Sequence, residues 1–141
     1  MNAFLVDFGS TFVKCLVYDT EVHKDVFFEK IPFPSPSIQE GKIFRVSESD
    51  IRGLIERVFS IGNQYECKRA YISVQMHGYL LQNADGTMQD YVSWRDSSGR
   101  MDDAQIKEID FDKRGTSLKA NLPFVRLYPQ KETFNDTTFY T

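Results

Sequence analysis

Phe4-Leu5-Val6-Asp7-Phe8-Gly9-Ser10-Thr11-Phe12-Val13-Lys14-Cys15-Leu16-Val17-Tyr18-Asp19 reads as a strand, a tight turn and a returning strand. A carboxylate, Asp7, stands at the end of the first strand, and Lys14 lies on the second. Between them, Gly9-Ser10-Thr11 supplies small and hydroxylated residues whose successive amides can form a concave donor nest for an anion. Asp7 has the chemistry to hold a hydrated Mg²⁺, because hard cations share carboxylate and phosphate oxygens. Lys14 offers a point charge to the same anion. Ordinary hairpin chemistry accounts for the same turn, since Gly-Ser and Asp-x-Gly are common turn residues. A Walker A loop is excluded, because no Gly-Lys-Ser/Thr opens a helix here. A nucleotide-phosphate site therefore needs a second motif.

Working outward, a third strand is expected over about Val26 to Pro32. The apolar run Phe4-Leu5-Val6 suggests a sheet covered on both faces at its centre. Pro32-Phe33-Pro34-Ser35-Pro36-Ser37 ends regular structure, so Pro32 to Arg45 reads as an irregular excursion. A helix follows, capped by Ser47 or Ser49, with Ile51, Leu54, Ile55, Val58 and Phe59 on one apolar face and Gly62-Asn63 closing it. Arg69 to Gln75 and Tyr79 to Asn83 read as strands, Ala84-Asp85-Gly86-Thr87 as a hairpin turn, and Tyr91 to Trp94 as short and extended. Arg100 to Ile109 looks helical, Gly115 to Leu122 loop-like, and Pro123 starts a helical segment through about Lys131. Thr133 to Thr141 shows no pattern. The order β-β-β-α-β-β, then helical pieces, gives a mixed α/β sheet with at least one helix packed on it.

The 141 residues form at most one domain's worth of chain. Net charge −3 gives no electrostatic reason to expect nucleic acid or an anionic membrane. No apolar run approaches the roughly 20 residues of a membrane span, and Met1-Asn2-Ala3 leads straight into a strand. Cys15 and Cys67 lack metal-ligand spacing, and Cys15 alternates with apolar neighbours as a buried thiol would. A reducing, cytoplasmic location is expected.

The second motif is Gln75-Met76-His77-Gly78, at a strand's end, followed by Ser93-Trp94-Arg95-Asp96. Gln75 and His77 carry donors and acceptors for a polyol, Met76 an adaptable apolar contact, Trp94 a flat face for a sugar's C–H surface, and Asp96 an acceptor for hydroxyls. Each has a plainer reading alone: His77 as a satisfied structural histidine, Trp94 as core, Arg95-Asp96 as a surface pair.

In combination, the strand–Asp-x-Gly-Ser-Thr–strand opening, Gln-Met-His-Gly, then Asp-Gly and Trp-x-Asp resemble the N-terminal part of the FGGY carbohydrate kinases, xylulokinase-like members above all. Gly115-Thr116-Ser117-Leu118-Lys119-Ala120-Asn121-Leu122-Pro123 also looks like that family's loop before a helix. The resemblance implies a ribonuclease H-like, actin-like sheet of the sugar kinase/Hsp70/actin class, with residues 1–141 an incomplete first domain. It implies ATP and Mg²⁺ as cofactors, with Asp7 on the metal and Gly9, Ser10, Thr11 and Lys14 around the phosphates. It also implies a small sugar held by Gln75, Met76, His77, Trp94, Arg95 and Asp96. The family reads Trp-Asn-Asp-x-Arg, so Arg95 replaces a small amide and Ser98 stands where arginine is expected, unless Arg100 takes that role. FGGY kinases run to roughly three times this length, and their catalytic base lies beyond position 141. The resemblance thus implies a chain inactive alone, partnered by the rest of the kinase, with exposed apolar surface that favours self-association. A non-catalytic sugar- or phosphate-binding module and a related actin-like ATPase are the alternatives.

Overall fold

The computed structural model describes residues 1–74, 78–109, 122–129 and 138–140, which pack as two compact units. The first unit comprises Met1–Ser35 and Ser49–Gln75. In it, β1 (Asn2–Phe8), β2 (Phe12–Asp19), β3 (Lys24–Pro32) and β6 (Arg69–Val74) form one sheet in the order β3-β2-β1-β6. The three hairpin strands are antiparallel and β6 runs parallel to β1, as expected for a strand reached through a helical crossover. Registers Phe4↔Val17, Val6↔Cys15 and Phe8↔Val13 place one alternate set on the face covered by helix α1 (Glu48–Gln64). Phe4, Val6, Val13, Cys15, Val17 and Ile31 are buried there with Leu54, Val58 and Ile61.

The other face differs from the expectation of a sheet covered on both sides. Leu5, Phe28 and Tyr71 are exposed, and every residue of β6 is exposed. The apolar run Phe4-Leu5-Val6 puts Leu5 on the second face, since successive strand residues alternate, but supplies no layer to cover it.

α1 corrects two details. Ile55 and Phe59 are exposed, and Ile61 and Gly62 complete the buried stripe instead. Gly62 does not end the helix, which continues to Gln64. It lies against Phe4, whose Cδ1 would stand 2.9 Å from any added Cβ. The glycine serves close packing rather than a cap.

The second unit comprises Pro36–Glu48 and Met76–Thr141. The expected irregular excursion contains a hairpin, β4 (Ile38–Glu40) and β5 (Ile43–Val46), turned at Gly41, whose φ is +55°. β5 continues to β8 (Tyr91–Val92), and β7 (Leu80–Gln82) pairs with β9 (Thr138–Tyr140). β9 falls where the sequence showed no pattern. The turn at Ala84–Thr87 forms as expected, with the Asn83 amide donating to the Thr87 carbonyl and Gly86 at φ +85°. Helix α2 (Asp103–Glu108) is capped by Asp102, which forms a reciprocal capping box with Gln105. Helix α3 (Pro123–Leu127) begins at Pro123, as the proline predicts. Gln75, Met76, His77, residues 115–121 and residues 133–137 lie outside the described residues.

Candidate functional site

In the first unit, register sets the pair that opened the sequence reading. Asp7 lies opposite Lys14, on the face away from α1, and the Lys14 Nζ donates to Asp7 Oδ2 at 3.0 Å. Both side chains are about half exposed, so the pair adds little stability and stays open to a ligand. It lines a shallow depression of about 450 Å³ on the uncovered sheet face, beside Leu5, Leu16, Phe28, Tyr71 and Ser73.

The turn between the strands is built by Gly9. Its N–H donates to the Phe12 carbonyl at 3.1 Å, and an added Cβ would stand 2.9 Å from that same oxygen. The Gly9 amide is therefore spent inside the turn rather than offered to an anion. The Thr11 carbonyl accepts from the Phe33 amide at 2.9 Å, tying the turn to the end of β3. The Ser10 and Thr11 hydroxyls make no hydrogen bond to the other described residues and remain as donors.

A cation fits at Asp7 on limited terms. Among the described residues, no cluster of three His, Cys, Asp or Glu side chains could hold a metal alone. One carboxylate with phosphate oxygens and water is the arrangement Mg²⁺ accepts, because it keeps several waters and shares phosphates.

In the second unit, Trp94, Arg95 and Asp96 go three ways. Trp94 is exposed. The Arg95 guanidinium lies 4.6 Å from the centre of the Phe44 ring, a cation–π contact that occupies its charged end. Asp96 is fully buried. It accepts from the Phe44 amide at 3.0 Å, from the Ser98 amide at 2.9 Å and from the Ser98 hydroxyl at 2.5 Å. It is ion-paired with Arg45, and Arg126 Nη2 lies 3.1 Å from its other oxygen. Burial alone would raise its pKa; the Ser98 hydroxyl, the Phe44 and Ser98 amides and the Arg126 charge outweigh this and hold it below the usual aspartate value.

Asp96 was expected to accept from sugar hydroxyls; the structure places its oxygens on donors inside the protein. Ser98, which stood out as a missing arginine, is one of its donors. Sequence reasoning missed Arg45 and Arg126. The signal for Arg126 was a cation set in the apolar run Pro-Phe-Val-Arg-Leu, which buries it to 6% exposure. Gly78, the last residue of Gln-Met-His-Gly, packs so closely on Tyr91 that an added Cβ would overlap its ring and hydroxyl.

The sheet order, the antiparallel hairpins and the parallel return through α1 define a ribonuclease H-like, actin-like α/β fold, the class to which sugar kinases belong. Three solved structures carry the comparison further. A Plasmodium falciparum glycerol kinase with ADP superposes with a TM-score of 0.74 at 11% identity, over 99% of this chain and 32% of that one. A ligand-bound xylulose kinase from Lactobacillus acidophilus gives 0.66 at 18% identity, over 97% and 31%. A carbohydrate kinase from Novosphingobium aromaticivorans gives 0.66 at 14%, over 96% and 31%. The chain thus spans about a third of the length of these structures. No family model matches the sequence, and no curated protein matches it. No helix among the described residues is long and apolar enough to cross a membrane.

Proposed function

We propose that this chain is the N-terminal portion of an ATP-dependent carbohydrate kinase of the FGGY type, acting on a ketose or polyol in the cytoplasm. The observation that carries the reading is the Asp7–Lys14 pair beside a turn with two unengaged hydroxyls, on a sheet of sugar-kinase fold. Asp7 holds Mg²⁺ through oxygen or water, and Ser10, Thr11 and Lys14 approach the nucleotide phosphates, with Gly9 shaping the turn. Bound Mg·ATP supplies the phosphoryl group. The chain's own part is positioning and charge neutralisation, which dominate catalysis of this transfer. Gln75, Met76, His77 and Trp94 are the sugar contacts, with the Arg95 backbone and stem beside them. The base that takes the sugar's proton belongs to the rest of the kinase, so the chain alone binds nucleotide without turnover.

Calorimetric titration with ADP, with and without Mg²⁺, tests this. Mg²⁺ should strengthen binding, Asp7→Asn should abolish that gain, and Lys14→Ala should weaken binding by about tenfold, the loss of one charge-assisted contact. Absence of any Mg²⁺-dependent ADP binding would refute the phosphate site. Phosphorylation of xylulose or glycerol by the chain alone would refute its dependence on a further segment. A non-catalytic sugar-binding module is the second reading. It is favoured by the departure from the kinase pattern at Arg95 and Ser98, both of which make internal contacts, Arg95 on Phe44 and Ser98 on Asp96.

A further inference from the structure

The second unit encloses a cavity of about 430 Å³ whose wall includes Arg45, Arg100, Arg126, Ser98 and Asp90. Neither Trp94 nor Asp96 is among its lining residues. Three arginines line it in a chain of net charge −3. Arg126 is the informative one. It is 6% exposed, yet its Nε, Nη1 and Nη2 have no hydrogen-bond partner among the described residues. Its approach to Asp96 is close enough for an ion pair but misses hydrogen-bond geometry. Its guanidinium also lies 6.0 Å from the centre of the Tyr79 ring. A buried guanidinium with unspent donors is costly, and such groups are almost always satisfied.

The charges around the cavity can be summed. Arg45, Arg100 and Arg126 contribute three positive charges. Asp96 answers Arg45 and Arg126 from behind the wall, and Asp90 accepts from the Glu48 amide at 3.2 Å. One positive charge is left over. The remaining wall is mostly apolar, including Ile38, Leu81 and Leu127, with Gln89 as a further polar group, and the volume suits a small metabolite.

We propose that this cavity binds a small oxyanion, a phosphate or carboxylate on a short carbon body, with Arg126 as the buried anchor and Arg100 closing on it from the exposed edge. Planar forked donors are what such oxygens select. The site does not depend on the kinase reading, since it shares no residue with the Asp7–Lys14 turn.

The test is calorimetric titration of the whole chain with inorganic phosphate, glycerol 3-phosphate and malonate, at constant ionic strength set with chloride. Saturable one-to-one binding of at least one probe is expected, and the order of the three distinguishes a phosphate from a carboxylate ligand. Arg126→Met and Arg100→Ala should each weaken it by about tenfold or more, the loss of one charged hydrogen bond, while Lys24→Ala, which removes an exposed cation of the first unit, leaves it unchanged. Arg100→Ala keeps the test valid if the buried substitution prevents folding. Absence of saturation by about 10 mM of every probe, tenfold weaker than a millimolar site, would overturn the proposal and leave water as the occupant. Binding lost in Lys14→Ala but kept in Arg100→Ala would overturn it too, placing the anion at the turn.

Discussion

Replacing Asp96 with alanine separates two roles that the sequence could not tell apart. If the carboxylate holds a sugar, its loss costs affinity and leaves the fold intact. The structure gives it the opposite role. Alanine there removes the partner of Arg45 and Arg126 and leaves the Phe44 amide, the Ser98 amide and the Ser98 hydroxyl without their acceptor. Removing one member of a buried ion pair costs about 3–5 kcal/mol, because the other charge stays buried. For a chain of this size that corresponds to a fall of roughly 10–15 °C in Tm. Trp94, the only tryptophan, sits two residues away and reports local unfolding by fluorescence in a urea titration. Asp96→Asn keeps the shape and one acceptor and should recover part of the loss. pH supplies an independent arm. The folded pKa of Asp96 is depressed, so its stabilisation is complete above the ordinary value near 3.9 and drains away as pH falls through the lowered one. The parent should therefore lose stability on acidification more steeply than Asp96→Asn. A loss below about 0.5 kcal/mol for Asp96→Ala, the range of surface changes, would refute the reasoning.

Gly62→Ala should destabilise by about 1–2 kcal/mol although alanine favours helix, since its Cβ meets the buried Phe4 ring; urea unfolding of the variant measures this. Cys15 is fully buried, and burial, with Glu29 nearby, pushes its thiol up to about 11, so a disulfide reagent at pH 8 should label Cys67 first and Cys15 only on unfolding, as mass spectrometry would show. Phe28→Lys, on the uncovered sheet face where Phe28 is 56% exposed, should reduce self-association in sedimentation velocity and leave Tm nearly unchanged. Gly9→Ala should weaken Mg·ADP binding through a distorted turn, with Tm measured in parallel, because its Cβ would crowd the Phe12 carbonyl.

What could be read from the sequence was what is local. The hairpin strands around Gly9, the helix after Ser47 and the strand at Arg69 follow from alternation and a 3.6-residue period, and their order sufficed for a mixed sheet with a helix packed on it. The β4–β5 hairpin escaped because prolines stand before it and its strands are only three and four residues long. β9 escaped because three residues carry too little pattern; its pairing with β7 is a tertiary fact. Gly62 was misread because a glycine near a helix end has two uses, and only the position of Phe4, 58 residues earlier in the chain, decides between them. The inward turn of Asp96 depended on Arg45 and Arg126, which lie on either side of it in sequence at distances no local window spans.

The Trp-Arg-Asp segment shows how a site-like motif divides its labour. Asp96 draws the Phe44 amide, Arg45, Ser98 and Arg126 around one carboxylate, so it fixes the loop to β5 and α3. With Asp96 inward and the Ser93 amide bonded to the Phe44 carbonyl at 3.2 Å, the intervening residues are held outward on a rigid base. Trp94 therefore owes its exposure to a neighbour that never meets solvent. Arg95 is the residue whose side chain leaves this frame and lies on Phe44. The Arg95 side chain thus changes what surrounds the tryptophan without disturbing what positions it.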